Sequence, residues 1–192
     1  MADIDTTLRR INEAPDHFAL FGLPRQFGLD ADRLLSALLD LTRQAHPDFA
    51  GSDPEAQLTA MEASAKVNEA HRILADPEKR ANYLLSLLGG PAGEELKTLP
   101  KGFLEKMMMV REEMADAQAS GDAGALAEFE GTAIAERRAI LGRIESLFDA
   151  LIPAPDAPSA GEQKGALRTE LNALRYIERM LEQMHPESNP IM

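Results

Sequence analysis

His46-Pro47-Asp48 places an imidazole and a carboxylate one residue apart, on either side of a proline. Such a pair could shuttle a proton, or it could offer a partner one hydrogen-bonding ring and one anion. Pro47 fixes its own φ and pushes His46 out of helical geometry. The tripeptide should therefore form a rigid corner with both groups held outward. The plainer role is a helix C-cap, a His near the negative end of the helix dipole followed by a turn. Proton chemistry finds little support elsewhere. No serine or oxyanion-hole motif accompanies the pair, so hydrolysis by His46 and Asp48 is a distant reading. His17, His71 and His185 are scattered and form no His-x-x-x-His pair, so no metal site is expected. Without a Gly-rich phosphate loop the chain should not bind ATP. It has no cysteine, hence no disulfide, thiolate metal site or cysteine nucleophile. The expectation is a non-enzyme without a cofactor.

Two helices must hold the corner. Asp30 or Asp32 can cap a helix that carries Leu34, Leu35, Leu38 and Leu41 and runs to Ala45. Gly51, Ser52 and Asp53 supply turn residues. Pro54 suits the first turn of a long helix to about Ala75, with Leu58, Met61, Ala65, Ile73 and Leu74 expected as its inward stripe. Short helices flank this pair. His17–Leu23 ends at Gly22 and Pro24, and a helix capped by Asp76 carries Tyr83, Leu84, Leu87 and Leu88 before Gly89-Gly90-Pro91 stops it. Two antiparallel helices joined this way bury their facing stripes and leave the loop tip exposed, which favours a surface role for the corner.

Past residue 90 the pattern stays helical. Residues 91–100 read as a linker rich in Gly, Pro and acid. Helices follow at about 101–119, 123–151 and 162–184, broken by Ser120-Gly121-Asp122 and by Pro153, Pro155, Pro158 and Gly161. Short connections argue for an up-down-up bundle. Its stripes are Phe103, Met107, Val110, Met114; then Leu126, Phe129, Ile140, Ile144, Leu147, Leu151; then Leu167, Leu171, Leu174, Ile177, Leu181. Gly131 and Gly142 inside the second helix each cost roughly 1 kcal/mol relative to Ala, which close helix approach would explain. Apolar residues are left over. Leu104 and Met108 lie about 100–140° from the stripe of their helix, with Glu112 continuing the row and Glu105 and Met109 flanking it. Tyr176 lies roughly 150° from the stripe of the last helix. Outward apolar groups beside carboxylates are the makings of a partner surface; a wider core is the alternative.

A chain of 192 residues has room for one or two domains. Its net charge of −12 makes it a poor nucleic-acid binder, since neutralising phosphates takes clustered Lys and Arg. No apolar run approaches the roughly 20 residues of a membrane span. The first residues lack the apolar core of a secretory signal, and a cytoplasmic setting is expected. Residues 1–15 read as a loose or short-helical leader, and 185–192 as a tail.

The first block resembles the J domain of HscB-type co-chaperones of iron–sulfur cluster assembly. The J-domain signature is the His-Pro-Asp loop between two antiparallel helices, present as His46, Pro47 and Asp48. Closer to HscB are Phe18, Leu20, Phe21, Gly22, Leu23 and Pro24, and the run Asn68, Ala70, Leu74, Pro77, Arg80, Ala81, Tyr83, Leu84, Leu85, Ser86 and Leu87. The resemblance spans roughly residues 16–184. It implies an all-α protein with a J domain at 16–90, four helices with a long antiparallel hairpin, and a C-terminal three-helix bundle at 101–184. It implies two partners, a DnaK/HscA-family ATPase chaperone and an iron–sulfur scaffold protein of the IscU type.

The resemblance also distributes the sites. His46, Pro47 and Asp48, with Arg43 for charge steering, would dock on the ATP-bound chaperone and speed its ATPase. Leu104, Glu105, Met108, Met109, Glu112 and Tyr176 stand where HscB-type proteins bind the scaffold. Glu105 replaces a common apolar residue and Met109 a common acidic one. Near the corner, Phe49 follows where the family usually has Lys, Ala37 and Ala45 replace basic and aromatic positions, and His71 sits where an aromatic is common. Fewer cations imply weaker docking on an acidic chaperone surface. The competing reading is a general J-domain protein that delivers other clients.

Overall fold

The structure, a computed structural model, describes residues 4–49 and 53–184. The expected tail at 185–192 and the turn residues Gly51 and Ser52 lie outside the described residues. Eight α-helices and no strand occur among those described. The chain divides into two compact units, Met1–Leu84 and Leu85–Met192.

The first unit contains α1 (Ile4–Asn12), α2 (His17–Leu20), α3 (Ala31–Gln44), α4 (Pro54–Ala75) and the start of α5 (Pro77–Leu87). Asp30 caps α3 by accepting from the N–H groups of Asp32 and Arg33, and Asp53 caps α4 by accepting from that of Glu55. Helices α3 and α4 pack together, joined by a short 3₁₀ turn at Pro47–Phe49. The buried stripe of α4 is Ala60, Ala63, Val67, Ala70 and Leu74, a 3-4-3-4 spacing. This corrects the expected stripe: Leu58 and Met61 are 58% and 59% exposed, and Ala65 is exposed as well. The row through Leu58 and Met61 lies about 200° around the helix from the buried one. Small alanines let the neighbouring helices close in, so size alone misled. Leu35 is likewise outward, 52% exposed, while Leu34 and Leu41 are buried.

The expected leader is a folded helix. Leu8 and Ile11 on α1 are buried, and α1 packs on α4 and α3. Its C-terminal carbonyls are satisfied from α4: Lys66 Nζ donates to the carbonyls of Asn12 and Ala14 at 2.7 and 3.2 Å. Asp16, buried at the cap of α2, accepts from the Ala19 N–H at 2.8 Å and from Arg25 Nε at 2.7 Å. Burial raises its pKa, but the Ala19 N–H and the Arg25 guanidinium outweigh that and hold it below the usual carboxylate range. The His17 ring stacks on Tyr83 at 4.3 Å, and its backbone N–H donates to the Tyr83 hydroxyl. Arg80 lies over the Phe27 ring, 5.0 Å from its centre, and donates to the Leu74 carbonyl.

The second unit holds α6 (Phe103–Ser120), α7 (Ala123–Leu151) and α8 (Ala160–Met184), with α7 packed on both others. Gly121, at φ +70°, ends α6, and the N–H of Asp122 returns to the Ala117 carbonyl. The Asp122 side chain then caps α7 by accepting from Ala125. Buried Phe148, absent from the expected stripe of α7, joins Ile140, Ile144 and Leu151. An ion-pair chain crosses the helices: Lys106 to Glu136, Glu136 to Arg143, and Arg143 to Glu170. The Lys106 bond, against the effect of burial, holds Glu136 below the usual carboxylate range. Ahead of α6, the chain is fastened to α8. Arg168, itself buried, donates to the Pro91 carbonyl, and Asn172 to those of Leu96 and Thr98. A side chain at Gly131 or Gly142 would meet open space, so close helix approach is not the reason for them.

Candidate functional site

The corner follows directly from the cap of α3. Ala45, fully buried, donates its N–H to the Leu41 carbonyl and anchors the end of the helix. Pro47 cannot continue it, and the chain turns through a single 3₁₀ turn. The backbone N–H of Asp48 donates to His46 Nδ1 at 3.2 Å. That bond assigns Nδ1 as acceptor. The Asp48 carboxylate lies 3.6 Å from the same Nδ1, too long for a hydrogen bond. The side chains are 48% and 84% exposed, so both groups are presented to solvent at one point. The Asp48 carboxylate is open to solvent rather than enclosed. Arg43, one turn back, is exposed.

A second surface lies on α6. Phe103, Met107, Met114 and Ala117 are buried, while Leu104, Met108 and Met109 are 47%, 62% and 63% exposed. Glu105 and Glu112 are exposed on the same helix. Tyr176 departs from the outward position expected of it. Its ring is half-buried and meets Phe103 edge-on, with centroids 5.6 Å apart. That contact brings it beside the N-terminal turn of α6, where Leu104 sits. The structure therefore gathers the α6 residues and Tyr176 in one unit, and the corner lies in the other. Among the described residues no group of three His, Cys, Asp or Glu is placed to hold a metal ion.

Family models account for both units. Residues 16–83 match the DnaJ domain, and residues 99–185 match the HSCB C-terminal oligomerisation domain. A co-chaperone protein HscB homolog from Burkholderia thailandensis is 37% identical over 166 residues, which are 85% of this chain and 89% of its own. The chain belongs to the HscB co-chaperone family. It is thus a J-domain co-chaperone of iron–sulfur cluster assembly. Among solved structures, chaperone HscB from Vibrio cholerae is similar at a TM-score of 0.74 and 29% identity, covering 90% of this chain and 96% of that one. Human co-chaperone protein HscB shares the fold at a TM-score of 0.76 and 24% identity, covering 93% of this chain and 85% of that one.

Two features of this HscB-family chain escaped the sequence pattern. Helix α1 precedes the matched J domain yet is part of the same packed unit. The three-residue spacing of Leu8 and Ile11, with Arg9 and Arg10 between them, is the signal that could have found it. The other is the outer row of α3. Leu35 and Leu39, 52% and 58% exposed, precede Arg43 at four-residue steps. Apolar residues stand along the outer face of the helix that leads into the corner.

Proposed function

We propose that this protein stimulates the ATPase of a DnaK-family chaperone of the HscA type through His46-Pro47-Asp48, and delivers the iron–sulfur scaffold protein to it in the cytoplasm. The observation that carries this reading is the corner itself: a half-exposed imidazole and an exposed carboxylate, fixed together at the tip of a helical hairpin. Asp48 pairs with a cation of the chaperone, His46 supplies polar contacts, and Pro47 keeps both in place. Stimulation follows from preferential binding to the chaperone's activated conformation, so that docking shifts a population rather than adding a reacting group. Arg43 steers the approach.

The scaffold docks on Leu104, Met108 and Met109, with Glu105 and Glu112 setting orientation and Tyr176 at the margin. Three exposed apolar side chains on one helix, flanked by carboxylates, support this reading. One chain holding scaffold and chaperone raises their effective concentration and couples cluster transfer to ATP use. No described helix is long and apolar enough to cross a membrane. The deciding experiment measures ATP turnover by an HscA-type chaperone with this protein, its Asp48→Asn variant, and the scaffold. Stimulation by the parent chain, its loss in Asp48→Asn, and unchanged scaffold binding are expected. Persistent stimulation in Asp48→Asn refutes the role given to the corner. Failure to bind the scaffold leaves a general J-domain protein.

A further inference from the structure

Helix α1 lies outside residues 16–83, which match the J domain, but is bonded to the helix that ends at the corner. Arg10 Nη2 donates to Gln44 Oε1 at 2.9 Å, and Gln44 is the last residue of α3, two positions before His46. Asn12 Nδ2 donates to the Thr59 carbonyl, and Lys66 caps the end of α1, so the helix is held from α3 and α4 together. Arg9 and Arg10 are exposed. Among the described residues neither is in an ion pair. Both border a groove of about 470 Å³ between α1 and α2, where Glu13 is the single carboxylate. Against Glu13, the two guanidinium groups leave the lining of the groove with one net positive charge. In the last turn of α3 the sole cation is Arg43.

We infer that Arg9 and Arg10 extend the docking surface from the corner onto α1, where they meet an acidic surface of the chaperone. The inference rests on the proposed role of the corner and supplies the cations that α3 lacks. Charge selects the partner face: guanidinium groups attract carboxylates and speed encounter, and salt weakens both effects.

The test compares full-length parent, Arg9→Gln/Arg10→Gln, Arg9→Lys/Arg10→Lys and Gln44→Ala in chaperone ATPase titrations at ~0.05 M and ~0.3 M salt. The glutamine pair should raise the half-saturating concentration about three- to tenfold at low salt, with the maximal rate unchanged and the gap narrowing at high salt. The lysine pair should stay near the parent, and so should Gln44→Ala, which removes a bond but no charge. Unchanged half-saturation in the glutamine pair overturns the inference. So does a lower maximal rate at unchanged half-saturation, or a Gln44→Ala defect as large as that of the glutamine pair, since α1 would then act as a brace. If the parent chain fails to stimulate, or Asp48→Asn stimulates equally well, the reading of the corner falls and this inference with it.

Discussion

The backbone N–H of Asp48 donates to the Nδ1 of His46, so the corner closes on itself before any partner arrives. The imidazole is oriented by the residue whose carboxylate it accompanies. Preorganisation of this kind reduces the entropy lost on docking. Because the Asp48 side chain is 84% exposed, Asp48→Asn should leave the melting temperature unchanged, within about 0.5 kcal/mol of stability. Pro47→Ala should keep both groups but loosen the corner. Its expected signature is a higher half-saturating concentration for chaperone stimulation with a maximal rate near the parent's. Calorimetry and ATPase titration on the same preparations separate the two effects.

Tyr176 and Met108 should behave differently when truncated. Met108 is 62% exposed, and Met108→Ala should weaken scaffold binding with little loss of stability. Tyr176 packs edge-on against Phe103, so Tyr176→Ala should cost about 1–2 kcal/mol as well as weaken binding. Tyr176→Phe keeps the ring contact and should restore the stability while reporting whether the hydroxyl binds. Scaffold affinity by calorimetric titration, beside the melting curve of each variant, distinguishes these outcomes.

The revised stripe of α4 is open to a direct comparison. Leu74 is fully buried, and Leu74→Ala should cost about 2–5 kcal/mol. Leu58→Ala, at a position 58% exposed, should cost less than about 0.5 kcal/mol. Equal losses in chemical denaturation would show that Leu58 is covered in solution.

What was legible in the sequence follows from which residues punctuate a chain. Prolines, glycines and capping aspartates act locally, so Asp30, Pro54, Asp76 and Asp122 marked helix starts close to where they occur. The choice of face is a tertiary matter. In α4 two rows satisfy helical spacing, and the larger residues pointed to the wrong one because alanines pack where helices approach closely. Tyr176 shows the same limit: its angle on α8 is outward, but a long ring can lean back onto Phe103 of a neighbouring helix. Helix α1 was missed as a packed element because its burial depends on α3 and α4, far away in the chain.

Gly131 and Gly142 offer a test of the unexplained. Both sit in the interior of α7, exposed, with open space where a side chain would go. Gly131→Ala and Gly142→Ala should each stabilise the second unit by about 0.5–1 kcal/mol, through backbone entropy lost from the unfolded chain. Scaffold binding should be unchanged. A loss of binding without loss of stability would assign that stretch of α7 to an interface.

Acid should weaken the first unit in two stages. Burial pushes the His17 imidazole below its ordinary value of 6.5, against the pull of Glu69 and Asp16. Between the lowered folded value and 6.5 the unfolded chain binds the extra proton, so protonation favours unfolding. Stability is therefore full above pH 6.5 and falls as pH drops below it. Asp16 acts later, because its folded value lies below the ordinary 3.8. Its contribution is present above that ordinary value and is lost as pH falls through the folded one. His17→Phe keeps a ring against Tyr83 and removes the first titration. Hydrogen exchange of α2 and α4, followed from pH 7.5 to about 5, should show protection that declines in the parent and stays level in His17→Phe. Parallel declines would place the sensitive group elsewhere. Arg25→Leu should shrink the second stage, because the Asp16 carboxylate loses the guanidinium that holds it ionised and its folded value moves up toward the ordinary one.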